Sequence, residues 1–319
     1  MVSENEGAKI ASSRSTSYLL GIVLTLLSSI LWGSAYPIIQ LALHYYDAFA
    51  ISVYRAVGGA IVLAFYFLVS NRSLPMLARP RDVPILFLAS ILGASGFWTL
   101  LSLSVLYLEA DTSSFLEALY PLIAVVLASV FFNEKMNKYS SVGVALGIFG
   151  TFVIVTLGEN AHFSGASPLL GSLLAVISAC SWSGYMAIMR HLVGSNTTTG
   201  TRARPEYITF NTFLFAIPLT VLMMLLTSPA SSFISSSPEA NLYVFYLGIV
   251  GSGIAFLIFS KGLKLIGMRG AAINQMLFPS VAVIASYVII GETVNPIEII
   301  GMCIIVAGIL LAQVFAKRS

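Results

Sequence analysis

The amino-acid sequence consists largely of apolar runs of about 20 residues, each long enough to cross the hydrocarbon core of a bilayer as a helix. Only 9% of the residues are charged, whereas a soluble domain carries about 25%. The runs therefore cannot all be buried elements of a soluble fold. The sequence predicts an all-α integral membrane protein with ten transmembrane helices. The predicted spans are 18–43, 47–70, 84–107, 112–132, 139–157, 168–190, 206–227, 240–262, 270–290 and 296–316.

The short polar segments between the spans predict the orientation of the chain. We expect a retained polar tail at 1–17, because this stretch does not resemble a signal or transit peptide, an outer linker at 158–167 and a short end at 317–319. With a cytoplasmic N-terminus, every lysine and arginine except Arg55 falls on the cytoplasmic side, where basic residues accumulate in membrane proteins. Both termini are therefore predicted to be cytoplasmic, in a multi-pass protein of the plasma membrane.

The chain also contains an internal repeat. A shift of 150 residues aligns 19–38 with 169–188, and a shift of 158 aligns the third to fifth spans with the eighth to tenth. Because each copy has five spans, an odd number, the second copy should enter the membrane from the opposite side. The sequence therefore predicts two inverted five-helix repeats, at 18–157 and 168–316. The second shift pairs Pro121 with Pro279, Glu134 with Glu292 and Gly143 with Gly301.

Several stretches carry a resemblance to a known family. They are "LWGSAYPIIQLAL", "SVYRAVGGAIVLAF", and "ALYPLIAVVLASVFFNEKMNKYSSVGVALGIFGTFVIV" with its echo "MLFPSVAVIASYVIIGETVNPIEIIGMCIIVAGILLAQ". The sequence resembles two EamA domains of the drug/metabolite transporter superfamily over nearly all of the chain after residue 17. The resemblance implies ten helices in two inverted halves, both termini in the cytoplasm, and export of amino acids and other small metabolites. It does not name a substrate, because one fold can carry many functions.

A carboxylate lies within one of the apolar spans, in the stretch "SFLEALYPLIAV". A charged group at the bilayer centre costs at least about 2.5 kcal/mol, so such groups face the bundle interior or a hydrated cavity. Glu117 should therefore face inward, and Arg55 lies at a comparable depth in its own span. We expect either an ion pair between them or a site shared with a zwitterionic solute. Without a partner, Glu117 would carry a proton and could couple solute movement to protons.

Each repeat places a polar side chain one helical turn before a proline. Glu117 precedes Pro121 by four residues, and its repeat counterpart Gln275, beside Asn274, precedes Pro279 by four. A proline removes one helical hydrogen bond and bends the helix, which membrane helices tolerate where other groups satisfy the freed carbonyl. The polar residues are therefore cavity candidates and the prolines hinge candidates. The alternative is that the prolines are packing kinks and the carboxylate is a structural partner of the arginine.

The tryptophans lie deep in their spans, although tryptophan is usually found at the membrane interface. Trp32, Trp98 and Trp182 are each fourteen residues from the start of a predicted span. They are candidates to line a cavity, where aromatic rings stack on an amphipathic solute or attract an ammonium group. Tyr36 and Tyr185 follow about one turn later and could add hydroxyl groups. The alternative is that these rings fill gaps between glycine- and serine-rich helices.

Other chemistry is not indicated. Cys180 and Cys303 lie singly in apolar spans, and His44, His162 and His191 are scattered, so neither a metal site, a cofactor site nor a catalytic triad is predicted. The basic residues follow the topology and include no basic stripe of the kind that binds nucleic acid. Glycine-rich stretches such as "GVALGIFG" and "GMCIIVAG" read as helix-packing faces, within the chain or between the protomers of a homodimer.

These observations favour a secondary transporter over an enzyme. Without a nucleotide-binding motif, transport would be driven by a gradient or by exchange, through alternating access around a midplane cavity. The second hypothesis is an exchanger of nucleotide sugars or phosphorylated metabolites. Such solutes require several intramembrane basic residues to neutralise phosphate, and Arg55 is the one candidate. A membrane enzyme or a channel is a further, weaker alternative.

Overall fold

A computed structural model describes residues 2–70, 81–108, 110–117, 119–133, 137–157, 167–194, 204–227, 233–291 and 296–315. Within these ranges the regular elements are helices, and no strand is present. In the first part of the chain they are α1 (Val2–Gly33), α2 (Ala35–Ala42), α3 (Ala48–Val69), α4 (Val83–Ser90), a π-helical segment (Ile91–Ser95), α5 (Gly96–Tyr107), α6 (Ala110–Glu117), α7 (Tyr120–Phe132) and α8 (Lys138–Leu157).

The second part of the chain also consists of helices where the structure describes it. Its elements are α9 (Pro168–Gly194), α10 (Pro205–Thr227), α11 (Pro238–Phe245), a second π-helical segment (Tyr246–Ile254), α12 (Ala255–Gln275), α13 (Phe278–Ile290) and α14 (Pro296–Phe315). Most of the predicted linker, 158–166, lies outside the described residues, as do Glu134 and Glu292 and the C-terminal residues 316–319.

The predicted spans 18–43, 112–132 and 270–290 are not single helices. The first is divided between α1 and α2, the second between α6 and α7, and the third between the end of α12 and α13. A proline lies in the first turn of each following helix, at Pro37, Pro121 and Pro279. Because proline lacks an N–H and its ring clashes with the carbonyl four residues back, the preceding helix ends there. The sequence predicts a bend at Pro121 and at Pro279, and the structure has a break between two helices at each; the break before Pro37 was not predicted.

The first helix also begins earlier than predicted. The backbone of α1 is helical from Val2, so the stretch expected to be a separate polar tail continues directly into the first apolar span. The tail contains several good helix formers, among them Glu4, Glu6, Ala8 and Lys9, which explains why the helix extends into it.

Local features recur at a spacing of 158 residues. α6 ends at Glu117 and α12 ends at Gln275. The next helix in each case has 13 residues with a proline in its first turn, and is followed by a left-handed residue, Asn133 or Gly291. The two π-helical segments overlap at the same spacing. The matching sequence pattern therefore produces matching local structure.

The glycine-rich stretches of α8 and α14 pack against each other. A Cβ atom added at Gly143 would lie 2.5 Å from the carbonyl oxygen of Gly308, and one added at Gly308 would lie 2.6 Å from that of Gly143. Gly150 faces the backbone of Gly301 in the same way, at 2.7 Å. The predicted packing faces are therefore used within the chain, where glycine permits close helix approach. A homodimer stays a prediction.

The outer surface of the bundle is apolar. Large side chains such as Phe65, Leu68 and Phe131 are more than half exposed, and an apolar surface of this extent is typical of proteins that contact lipid. Among the described residues, six helical stretches are long and apolar enough to cross a membrane, when consecutive helices such as α1 with α2 and α4 with α5 are counted as one stretch. Two shorter apolar helices follow. The chain is thus a helical membrane protein, while the full number of ten crossings stays a prediction.

Candidate functional site

A small cavity lies inside the bundle, where elements of both halves of the chain meet. Its volume is about 30 Å³, room for on the order of two water molecules. Five residues that the sequence suggests as cavity candidates line it, and they come from α1, α2, α3, α6 and α9. These residues are Trp32, Tyr36, Arg55, Glu117 and Trp182.

Five further residues line the cavity, and sequence reasoning missed them. They are Ala35, Phe97, Leu101, Tyr120 and Phe278. Two of them could have been found, because Tyr120 and Phe278 each directly precede a repeat proline and correspond to each other at the spacing of 158 residues. Phe97 and Leu101 have no such signal, since they are ordinary apolar residues in an apolar helix.

Glu117 is held by two hydroxyl groups from different helices. One carboxylate oxygen accepts a short hydrogen bond from the Tyr36 hydroxyl on α2. The other accepts a 2.5 Å hydrogen bond from the Ser178 hydroxyl on α9. Glu117 is 2% exposed, so these donors satisfy a group that would otherwise be costly to bury. The two hydroxyl groups come from opposite halves of the chain, and the carboxylate therefore joins them.

Arg55 is buried on the same cavity but does not pair with Glu117. Its Nε donates a 3.0 Å hydrogen bond to the Ser252 hydroxyl, and its guanidinium carbon lies 5.0 Å from the centre of the Trp98 ring. Its Nη1 has no hydrogen-bond partner among the described residues. The structure therefore shows no ion pair between these two described residues, and each contacts hydroxyl groups or rings of other elements instead. A site shared with a zwitterionic solute stays a prediction.

Aromatic rings form the walls of the cavity. Trp32 and Trp182, which correspond in the two repeats, meet edge to face with centroids 5.1 Å apart. On another side, Phe278 is stacked between Tyr36 and Tyr120, with centroids 5.6 Å apart and nearly parallel planes in both pairs. Such ring pairs contribute roughly 0.5–1.5 kcal/mol beyond the area that they bury. The cavity is therefore mainly apolar and aromatic, with two opposite charges in its lining.

The π-helical segments provide backbone acceptors next to the cavity. Trp32 Nε1 donates a 2.8 Å hydrogen bond to the Gly251 carbonyl in the second segment. The Ser181 hydroxyl donates a 2.9 Å hydrogen bond to the Leu92 carbonyl in the first. A π-helical turn interrupts the regular hydrogen-bond ladder and is frequent at functional sites. Each segment thus accepts a hydrogen bond from a side chain in the other half of the chain.

Four predicted residues lie beside the cavity without lining it. The Trp98 ring packs against the guanidinium group of Arg55. The ring centroids of Tyr185 and Trp182 are 5.1 Å apart. Gln275 Oε1 is 3.5 Å from Trp182 Nε1, while its Nε2 has no partner among the described residues. Asn274 instead connects α12 to α1, donating a 2.7 Å hydrogen bond to the hydroxyl group of Thr25. These residues support the lining, and the structure does not bring them into it.

The hydrogen-bonding hydroxyl groups were invisible to sequence reasoning. Ser178 and Ser252 are two serines among many in apolar helices, and only the helix packing brings them to Glu117 and Arg55. Within the described residues, no group of three or more histidine, cysteine or acidic side chains is arranged to hold a metal ion.

Comparison with known proteins finds similar sequences and a similar fold. A probable terminal-alkyne amino-acid exporter of Streptantibioticus cattleyicolor is 25% identical over 89% of this chain and 90% of its own length. The uncharacterized transporter YdfC of Bacillus subtilis is 23% identical over 88% of this chain and 86% of its own. A solved crystal structure has the same fold, with a TM-score of 0.77, 21% identity, and coverage of 96% of this chain and 98% of that one.

The family comparison covers both halves of the chain. The sequence model of the EamA-like transporter family matches twice, at residues 19–156 and 169–313. These ranges include every residue that lines the cavity, and together they span most of the sequence. The chain belongs to the EamA-like transporter family.

Proposed function

We propose that this protein is a secondary transporter that exports small amphipathic metabolites such as amino acids by alternating access around the cavity. The observation that carries the proposal is the placement of Glu117 and Arg55 on one ring-lined cavity without an ion pair between them. A zwitterionic solute with an apolar side chain matches a lining of two opposite charges and several aromatic rings. The name of the Streptantibioticus cattleyicolor relative, an amino-acid exporter, supports this substrate class and direction.

The size of the cavity supports a mechanism with more than one conformation. Sites for small-molecule ligands have volumes of roughly 300–1,000 Å³, whereas the volume of this cavity is about 30 Å³, at least about tenfold smaller. The cavity must therefore widen before a solute can enter. In alternating access, rocking of the two repeats widens it first toward one side of the membrane and then toward the other.

The proposed topology has ten spans in two inverted repeats, 18–157 and 168–316, with both termini in the cytoplasm of a plasma-membrane protein. The double match of the family model and the recurrence of helix breaks at a spacing of 158 residues support it. We expect a reporter that is active only outside the cytoplasm to be active within 158–167 and inactive within 195–203. Activity of a cytoplasmic reporter within 158–167 would contradict the inverted arrangement.

Glu117 gives the transporter a simple way to couple export to protons. Both a proton and the ammonium group of a solute are attracted to this carboxylate, and they cannot occupy it fully at the same time. Exchange of one for the other would carry a proton inward for each solute carried outward. Transport against a gradient then needs no nucleotide, in agreement with the absence of a nucleotide-binding motif from the sequence.

Counterflow in liposomes tests this function. We expect the reconstituted protein to accumulate at least one radiolabelled amino acid from a panel when the same unlabelled amino acid is inside. The flux should saturate with solute concentration. It should accelerate when a proton gradient drives protons across the membrane in the direction opposite to the solute. A flux that neither saturates nor is reduced by competitors would indicate a channel, and no flux of any amino acid would refute the proposed substrate class.

Exchange of nucleotide sugars or phosphorylated metabolites is not favoured. Phosphate groups are recognised by clusters of arginine and lysine, and Arg55 is the one basic residue in the cavity lining. We propose transport rather than catalysis for the same site, since two hydroxyl groups hold the Glu117 carboxylate and the family model that matches both halves of the chain is that of transporters.

A further inference from the structure

We propose that Arg55 is the carboxylate subsite of this cavity and that a transported solute must present a free carboxylate to it. This inference rests on the proposed function and makes the substrate class narrower. The solute would lie across the cavity with its carboxylate at Arg55, its ammonium group at Glu117 and its side chain against the rings of Trp32 and Trp182.

The hydrogen bonding of Arg55 is incomplete in a way that matches a carboxylate. The side chain is 1% exposed, and Glu117, on the same cavity lining, makes no direct ion pair with it. A buried charge is costly unless its hydrogen bonds are made. Nε is bound to Ser252, and the Trp98 ring partly compensates the charge, but Nη1 has no partner among the described residues. Trp98 Nε1 is a second buried donor without a partner among the described residues. A solute carboxylate would accept these free hydrogen bonds and can pair with guanidinium through two parallel hydrogen bonds.

Glu117 still has acceptor capacity for the other end of the solute. An ionised carboxylate has about four lone-pair sites, and the described structure assigns one donor to each of its oxygens, Tyr36 and Ser178. An ammonium group can therefore bind without displacing either hydroxyl. The three N–H groups of the ammonium would donate to the Glu117 carboxylate, and the faces of nearby aromatic rings would attract its positive charge.

The arginine is oriented by both halves of the chain. Arg55 belongs to α3, whereas its partner Ser252 belongs to the second π-helical segment. Close contact between these elements is possible because Gly58 and Gly248 meet there, and a Cβ atom on Gly58 would lie 2.7 Å from the Gly248 backbone. A change in the position of the segment relative to α3 would alter the direction of the guanidinium. Ser252 is thus a positioning residue for the proposed subsite.

The second half of the chain does not offer an equivalent charged pair. The repeat counterpart of Glu117 is the neutral Gln275, and among the described residues no lysine or arginine of the second half lines the cavity. The charged ends of the solute would therefore be recognised by α3 and α6 of the first half, whereas the apolar side chain would contact rings from both halves. This asymmetry gives the solute one preferred orientation.

The test compares solutes that differ only at the carboxylate. In counterflow with the wild-type protein, the competitors are phenylalanine, phenylalaninamide and phenethylamine, set against whichever labelled amino acid of the panel gives the largest flux. We expect the amide and the amine to compete at least about tenfold more weakly than the acid, because a site built for a charged hydrogen-bond partner rejects the analogue that lacks it. Equal competition by all three would overturn the carboxylate subsite and leave the proposed function standing. If no amino acid of the panel moves, both proposals fail.

Variants add an independent readout. Arg55→Gln should reduce the preference for the acid over the amide to about one, and Arg55→Lys should keep part of it, because lysine retains the charge but not the planar fork. Lys261→Gln is the matched control, since Lys261 also lies over a ring, 4.2 Å from the centre of Tyr66, away from the cavity lining. The control should keep the full preference. An unchanged acid preference in Arg55→Gln would overturn the assignment, and because preference is a ratio, a lower yield of folded variant does not affect it.

Discussion

Replacement of Glu117 by glutamine is expected to reduce transport by about 10- to 100-fold, since hydrogen bonds to charged groups contribute about 1.5–3 kcal/mol. Glutamine is nearly isosteric, but it can neither bind an ammonium group through a charge nor release a proton. The residual flux should therefore no longer accelerate when a proton gradient is imposed. Counterflow of the labelled amino acid, measured with and without the gradient, checks both parts of the prediction.

The chain contains a suitable control for this substitution. Glu239, at the start of α11, accepts a 2.6 Å hydrogen bond from the Tyr243 hydroxyl at an exposed position, so it resembles Glu117 in having a tyrosine donor but does not line the cavity. We expect Glu239→Gln to transport as the wild-type protein does. Normal, gradient-dependent transport by Glu117→Gln would show that the carboxylate is a structural group and that the coupling proposal is wrong.

Replacement of Gly143 by valine is expected to destabilise the protein more than any comparable change on the outer face of α8. A Cβ atom at this position would lie 2.5 Å from the Gly308 carbonyl oxygen and 2.6 Å from the Ala312 Cβ. The backbone of α14 cannot move aside as a flexible side chain can. The valine side chain would therefore force α8 and α14 apart. Overpacking of this kind costs about 1–3 kcal/mol. The apparent melting temperature, followed by tryptophan fluorescence in detergent, should fall by about 2 to 10 °C.

A second valine substitution on the same helix separates packing from helix propensity. Ala145 is an exposed residue of α8, and Ala145→Val adds a β-branched side chain there without a close neighbour across the helix pair. We expect this variant to melt within about 2 °C of the wild-type protein, as surface substitutions usually do. An equal fall in melting temperature for both variants would mean that the close approach of α8 and α14 does not limit stability.

Much of the fold follows from the sequence through simple physical causes. The apolar runs require helices, because an unpaired backbone group is costly in lipid, and the structure has helices where these runs lie. The recurring prolines also indicate where the helices are interrupted, although from the sequence alone only a bend is expected at Pro121 and Pro279. The structure ends α6 before Pro121 and α12 before Pro279, because a proline is more favourable in the first turn of a new helix than inside an old one.

The cavity was only partly predictable for a different reason. Charged residues and tryptophans are rare in this apolar chain, and a charge is also costly to bury in a membrane. These two criteria are enough to select Glu117, Arg55, Trp32 and Trp182. Phe97 cannot be selected in this way, because it is one of 20 phenylalanines in an apolar chain and nothing in its sequence context distinguishes it from the others. Selection by rarity also gave candidates that lie outside the cavity lining, such as Asn274, whose amide donates to Thr25 on α1.

The sequence by itself determined the class of this protein, its helices and its duplication, because these depend on composition, apolar length and repetition along one chain. The tertiary structure alone decided that Glu117 bonds to Tyr36 and Ser178 and that Arg55 bonds to Ser252 instead of Glu117. Each of these contacts joins two residues that are more than 60 positions apart in the sequence and lie on different helical elements. Such contacts depend on the rotation and the distance of packed helices, which a pattern of apolar residues restricts only to within a helical face.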